Sequence, residues 1–196
     1  RLTPMSWRWS SEDVAYVVKN CEAAAMVVDA RFAPAVAEAS RAIPEAARFS
    51  VGGHIPGFRP WSDVEQEPAD PIPNPLCGDV MLYTSGTTGR PKGVRRPFLP
   101  DQPPPTIIGR AGMAMIETFL GAEHRKGTHL VSCPLYHVAP TTYSDGALLL
   151  GADVVLMERF DAEDLLRQIE KHRVVSTFLV PTQFVRMLRL PEEVRS

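Results

Sequence analysis

The sequence predicts an α/β fold: a parallel-rich sheet with helices on both faces. Three observations carry this. From residue 107 onward, short apolar or β-branched runs alternate with amphipathic stretches at the spacing of βα units. Each helical stretch carries start or stop signals in place. The composition, 44% apolar and 22% charged, is that of an ordinary globular chain.

Taken in order, residues 1–10 are irregular, with Trp7 and Trp9 two apart and read as packing residues. Ser10 or Ser11 caps a helix with Glu12 and Asp13 in its first turn, where the helix dipole favours acid. Val14, Val17, Val18 and Cys21 then fall on one face. Residues 24–28 read as a buried strand ending at Asp29, Pro34 opens a second helix through Ala39, and 48–51 form another strand. This α/β segment, 1–51, gives way to a connector at 52–78 that holds six prolines and four acidic residues between Gly52 and Pro75 and reads as lacking a regular core element. Residues 79–96 hold a glycine-rich loop, and the five prolines of 97–105 read as a surface loop.

The βα-repeat segment, 107–196, begins with a helix at 107–120 stopped by Gly121. A strand at 129–132, a helix at 140–150 stopped by Gly151 and a strand at 153–157 follow. Asp161 caps the next helix, whose end carries His172 and Arg173. A strand at 174–180 leads to Pro181, which opens the last helix, with Phe184, Val185 and Leu188 on one face.

Residues 80–83 read as a strand leading into Thr84, Ser85, Gly86, Thr87, Thr88 and Gly89: four hydroxyl residues and two glycines in six positions. Arg90, Pro91, Lys92 and Gly93 follow. Glycines let backbone N–H groups approach an anion, hydroxyls add donors or a metal ligand, and Lys92 supplies a mobile positive charge. The composition points to polyphosphate. The plainer reading is a flexible Gly/Thr surface turn between two strands. The chain is neither a Walker A loop, because Pro91 precedes Lys92 and Gly93 follows it, nor a G-x-G-x-x-G fingerprint.

The string YTSGTTGRPKGV, 83–94, resembles the phosphate loop of the adenylate-forming superfamily nearly residue for residue. That superfamily comprises acyl-CoA synthetases, luciferases and the adenylation domains of peptide synthetases. GGHIPGFRPWSDV, 52–64, and MERFDAEDLLRQIEKHRVVSTFLVPTQFVRMLRL, 157–190, are similar to the matching regions of its fatty acyl-CoA synthetase branch. GVRRPFLP departs from the commoner Gly-Val-x-x-(Thr/Ser)-His, and Arg95 and Arg96 receive no role. The resemblance implies part of the large N-terminal domain of an AMP-forming acid–thiol ligase with ATP, Mg2+ and coenzyme A as its reactants. A carboxylate attacks the α-phosphate, giving acyl-AMP and pyrophosphate; coenzyme A thiolate then displaces AMP. Thr84, Ser85, Gly86, Thr87, Thr88, Gly89 and Lys92 would hold the β- and γ-phosphates, and Thr84 would face magnesium.

CPLYHVAP, 133–140, lies where a strand ends and a helix begins, the usual place for sites in open α/β sheets. Read alone, His137 is more plainly a histidine satisfied by backbone at the start of a helix. The resemblance implies a role beside the acyl carboxylate, with Tyr136, Val138, Ala139, Thr142 and Tyr143 near the acyl tunnel. His54, His124, His129 and His172 show no metal spacing and read as structural or exposed. A Gly-x-Ser-x-Gly elbow is lacking, so an esterase is unsupported.

The net charge of −2 suggests no nucleic-acid surface. Cys21, Cys77 and Cys133 are far apart, which fits a reducing cytoplasm and neither a disulfide frame nor a zinc site. No apolar run reaches the length of a membrane span. Arg1 is not an initiator Met, and the chain stops just after a helix-like stretch, so it reads as a piece of a longer protein cut at both ends. In the resembled family the Tyr-Gly-x-Thr-Glu motif, the ribose-binding Asp, the hinge and the catalytic Lys of a small C-terminal domain lie beyond this region. None occurs before Ser196, so the piece alone is expected to form no acyl-adenylate. An aryl or other carboxylate ligase and a truncated phosphate-binding module stand as alternatives.

Overall fold

The computed structural model describes residues 1–71, 73, 78–84, 89–95, 107–120 and 126–195, with only the backbone at 107–109 and 120. It divides into two compact units. One comprises Thr3–Pro75 and Met81–Arg96; the other comprises Arg1–Leu2, Leu76–Val80 and Pro97–Ser196.

The first unit opens with α1, Ser11–Asn20. The Ser10 hydroxyl oxygen accepts from the Asp13 N–H at 3.1 Å, satisfying one of the otherwise orphaned donors of the first turn. Val14, Val17 and Val18 form its buried face. β1 (Met26–Asp29) pairs in parallel with β2 (Arg48–Val51), with α2 (Ala33–Val36) and a 3-10 turn at Ala39–Ala42 between them. The expected second helix therefore stops short of Ala39 and resumes as a tighter turn.

Residues 52–78 hold more structure than their prolines suggest. β3 (Arg59–Pro60) adds a third parallel strand beside β2, and α3 (Ser62–Glu65) makes a helical turn. Proline is tolerated because β3 is an edge strand, where a missing N–H breaks no interior ladder. Between the prolines, Ile55 and Phe58 reach the core formed by Val14, Val18, Met26, Val28, Val36, Ala39 and Ile43. The unit ends in an antiparallel hairpin of β4 (Leu82–Thr84) and β5 (Lys92–Val94).

The second unit begins with α4 (Ile107–Leu120) and continues through β6 (Thr128–Val131), α5 (Val138–Leu149), β7 (Asp153–Leu156), α6 (Ala162–His172), β8 (Val174–Phe178), α7 (Pro181–Leu188) and the short α8 (Glu192–Arg195). Its sheet is parallel, in the order β7-β6-β8. The chain moves outward from β6 to β7 and then back across to β8. Right-handed crossovers therefore put α5 and α6 on opposite faces. Asp161 caps α6 by accepting from the Asp164 N–H at 2.9 Å. Arg173 ends it in the left-handed region, at φ 49° and ψ 50°. α4 and α5 approach until backbone meets backbone: a Cβ on Gly146 would overlap the backbone of Gly112 and Met113. Among the described residues, no helix is long and apolar enough to cross a membrane.

Candidate functional site

The hairpin of the first unit carries those residues read from sequence as a phosphate loop that the structure describes. Thr84 and Lys92 are directly opposed in the antiparallel register, and both are exposed. Residues opposed in this way project from the same face. Gly89 lies on the downstream side of the connection with φ +94°, a backbone conformation that side chains oppose. Ser85, Gly86, Thr87 and Thr88 lie outside the described residues, as do Cys77, Arg96 and His124.

Beneath Thr84 the hairpin is anchored in a core. Tyr83 is buried with Val17 and Met81, and its ring meets Trp9 edge-on at 6.1 Å. Burial pushes the Tyr83 phenol up to about 12, helped by the Cys21 and Tyr16 groups nearby. The hydroxyl stays protonated and donates to Asn20 Oδ1 at 2.6 Å. Gly93 faces Tyr83 across the ladder because the space is taken: an added Cβ would lie 2.5 Å from Met81 Cε and 2.8 Å from Tyr83 Cζ. Neither the Tyr83–Asn20 bond nor the hairpin's seating on α1 has a signal in sequence, since Asn20 lies 63 residues from its partner.

In the second unit His137 is the residue before α5, with extended backbone at φ −96° and ψ 150°. Its N–H donates to the Pro134 carbonyl at 3.2 Å, and its own carbonyl accepts from the Thr141 N–H and hydroxyl. The imidazole makes no capping bond; it is exposed and tilts against the Tyr136 ring at 4.5 Å. The backbone of this histidine is used by the helix start, and its ring is exposed. Val138 is exposed, and Ala139 and Tyr143 are half-buried. Thr142 is buried, and its hydroxyl donates to the Val138 carbonyl at 2.8 Å. That hydroxyl is thus engaged inside the helix. The Tyr143 ring stacks against Phe178 at 5.6 Å and His129 at 6.4 Å.

Two polar clusters lie below this loop. His129 is fully enclosed, and its Nδ1 is 2.8 Å from the Ser176 hydroxyl. The pair exists because β8 carries one extra residue, Val175, against β6, so that Ser176 rather than Val175 faces His129. Burial lowers the His129 pKa to about 4, which keeps the ring neutral. At the carboxyl ends of β6 and β8, the buried Gln183 amide donates to the Ser132 hydroxyl at 3.1 Å and accepts from the Val180 N–H at 2.9 Å. Cys133 Sγ lies 3.2 Å from the same Gln183 oxygen, and burial pushes its thiol pKa up. Gln183 was missed from sequence: a glutamine in the first turn of a helix resembles any surface polar residue.

A family model described as AMP-binding enzyme matches residues 1–195. The chain belongs to the AMP-binding enzyme family. Among curated relatives, the chain is 28% identical over 200 residues to the indoleacetate–CoA ligase of Aromatoleum aromaticum, covering 96% of this chain and 36% of that one. Among solved structures, the Mycobacterium tuberculosis fatty acyl CoA synthetase has a TM-score of 0.70 at 20% identity, covering 98% of this chain and 36% of the other. The O-succinylbenzoate coenzyme A synthetase of Bacillus subtilis, in complex with ATP and magnesium ion, has a TM-score of 0.66 at 22% identity, covering 94% and 36%. These likenesses establish that the chain has the mixed α/β fold of the N-terminal part of acyl-CoA synthetases. The chain spans between about a fifth and about a third of the length of the curated relatives it matches.

Proposed function

We propose that this AMP-binding-family chain is the phosphate-gripping part of an ATP-dependent carboxylate–CoA ligase, with a fatty-acid-type acyl group as its substrate. The observation that carries this is the hairpin: an exposed threonine and an exposed lysine stand opposite one another, flanking a glycine-rich connection, in a chain whose relatives include CoA ligases. In this reading Thr84, Ser85, Gly86, Thr87, Thr88, Gly89 and Lys92 hold the β- and γ-phosphates. Lys92 steadies the charge that passes to pyrophosphate as the carboxylate oxygen bonds to the α-phosphorus. His137 orients the carboxylate, beside a tunnel lined by Tyr136, Val138, Ala139 and Tyr143. Thr142 contributes through its backbone and methyl group, its hydroxyl being engaged.

Magnesium fits this arrangement as a companion of the nucleotide. It favours hard oxygen ligands and is commonly held by substrate phosphates with few protein groups. The Thr84 hydroxyl is such an oxygen, and the described residues contain no cluster of three His, Cys, Asp or Glu side chains that would form a dedicated cage. When bound, the ion would supply charge to the phosphates that Lys92 also faces.

The test uses the full-length protein containing these residues, incubated with MgATP, coenzyme A and either decanoate, indoleacetate or benzoate. AMP and the acyl-CoA are measured by mass spectrometry. Decanoyl-CoA as the main product supports the fatty-acid reading. Preference for an aryl acid favours the second reading, for which the indoleacetate–CoA ligase likeness speaks. No AMP with any acid, from folded protein, defeats the ligase. Lys92→Ala should lower kcat/KM for ATP by about 10–150-fold, the equivalent of a charged hydrogen bond of about 1.5–3 kcal/mol. An unchanged value removes Lys92 from the mechanism.

A further inference from the structure

We infer that α1 is a positioning element for the phosphate-loop hairpin and sets its affinity for the nucleotide without touching it. This rests on the phosphate-loop reading of Thr84 and Lys92. Glu12, Tyr16 and Asn20 are spaced four apart and so form one stripe along α1. Each end of the stripe holds a different arm of the hairpin. Asn20 accepts the hydrogen bond of the Tyr83 hydroxyl at 2.6 Å, on the upstream arm, where Val17 and Met81 also pack. On the downstream arm, Arg90 Nη2 reaches Glu12 Oε1 at 3.4 Å, and its guanidinium lies 5.3 Å from the centre of the Tyr16 ring.

The hairpin needs such support. Among the described residues it is a two-stranded ladder of three residues per strand, with no third strand paired to it. A lone two-stranded hairpin is at best marginally stable in water. A site that grips phosphate through directed donors works only when its donors are held within about 0.5 Å of the productive geometry. α1 fixes the two points between which the connection is strung, Tyr83 and Arg90. The individual contacts are modest: the Arg90–Glu12 pair is well exposed, and such pairs contribute little. Their effect comes from acting on both arms at once.

The test is MgATP affinity, measured by isothermal titration calorimetry on the full-length protein. Tyr16→Leu removes the ring under Arg90, and Tyr83→Phe removes only the hydroxyl given to Asn20. Each should weaken MgATP binding about two- to fivefold, the size of a cation–π contact or a neutral hydrogen bond. Tyr16→Phe, which keeps the ring, should restore wild-type affinity. Both are conservative at partly buried or buried positions, and circular dichroism checks that each variant is folded. If Tyr16→Leu and Tyr83→Phe bind MgATP as tightly as wild type while Lys92→Ala does not, the positioning role is overturned and the phosphate-loop reading stands. Equal losses in Tyr16→Phe and Tyr16→Leu also overturn it, since the ring under Arg90 would then be irrelevant. Full affinity in Lys92→Ala would sink the phosphate-loop reading itself.

Discussion

Acid should weaken this fold in part through one buried histidine. His129 is 1% exposed, and burial depresses its pKa from 6.5 to about 4. Unfolded, the same imidazole titrates near 6.5. Between those values the unfolded chain binds a proton that the folded chain refuses, so stability rises with pH there. The contribution of the neutral ring is fully present above about pH 6.5, declines as the pH falls, and is gone below about pH 4. Each unit of depression corresponds to about 1.36 kcal/mol, so the loss by pH 4.5 amounts to about 2–3 kcal/mol. The measurement is urea unfolding followed by tryptophan fluorescence and circular dichroism at about pH 7.5, 6.5, 5.5 and 4.5. His129→Asn keeps a neutral group beside Ser176 and cannot titrate. Carboxylates affect both proteins alike, so the difference between them isolates the histidine. That difference should shrink by about 2–3 kcal/mol as the pH falls. A difference that stays constant across the range would refute the reasoning and mean that His129 is solvated enough to accept its proton when folded.

Three further outcomes follow from packing and capping. Gly146→Ala forces α5 away from the backbone of Gly112 and Met113, where no flexible side chain can yield, and should cost at least about 1–3 kcal/mol, read as a lowered urea midpoint. Gln183→Leu strands the buried Ser132 hydroxyl, at a cost of about 1–3 kcal/mol, and removes the acceptor of the Val180 N–H, where amide exchange should accelerate. Asp161→Ala loses the cap on the Asp164 N–H and should cost about 1 kcal/mol, lowering Tm by about 2–4 °C for a chain of this size.

Local chemistry explains what could be read in advance. α4 was located at 107–120, α6 begins at the cap predicted for Asp161, and α7 opens at Pro181, because caps, prolines and a helical period act within a few residues. The family was legible for the same reason, as the residues of the string 83–94 that carries the resemblance are contiguous. Legibility failed where partners are remote. Residues 52–78 looked like a connector because proline frequency hid Ile55 and Phe58, whose burial depends on Val14 and Met26 from earlier in the chain. His129 could be read only as structural or exposed; what encloses it is Tyr143 and Ser176, brought close by crossovers and by the extra residue in β8. Gln183 gave no signal, since its partner Ser132 is 51 residues away.

The central place of β6 also orders events in time. Both strands that flank it, β7 and β8, come later in the chain. During synthesis β6 emerges with neither neighbour, and the hydrogen bond between His129 and Ser176 spans 47 residues. At ribosomal rates of about 5–20 residues per second, that partner follows about 2–9 s later. Until β7 follows, about 25 residues and about 1–5 s after β6, the strand Thr128–Val131 has no native edge to pair with. Slow synthesis or stalling between β6 and β7 therefore leaves that strand unpaired for longer, and chaperone demand during translation should rise in that interval.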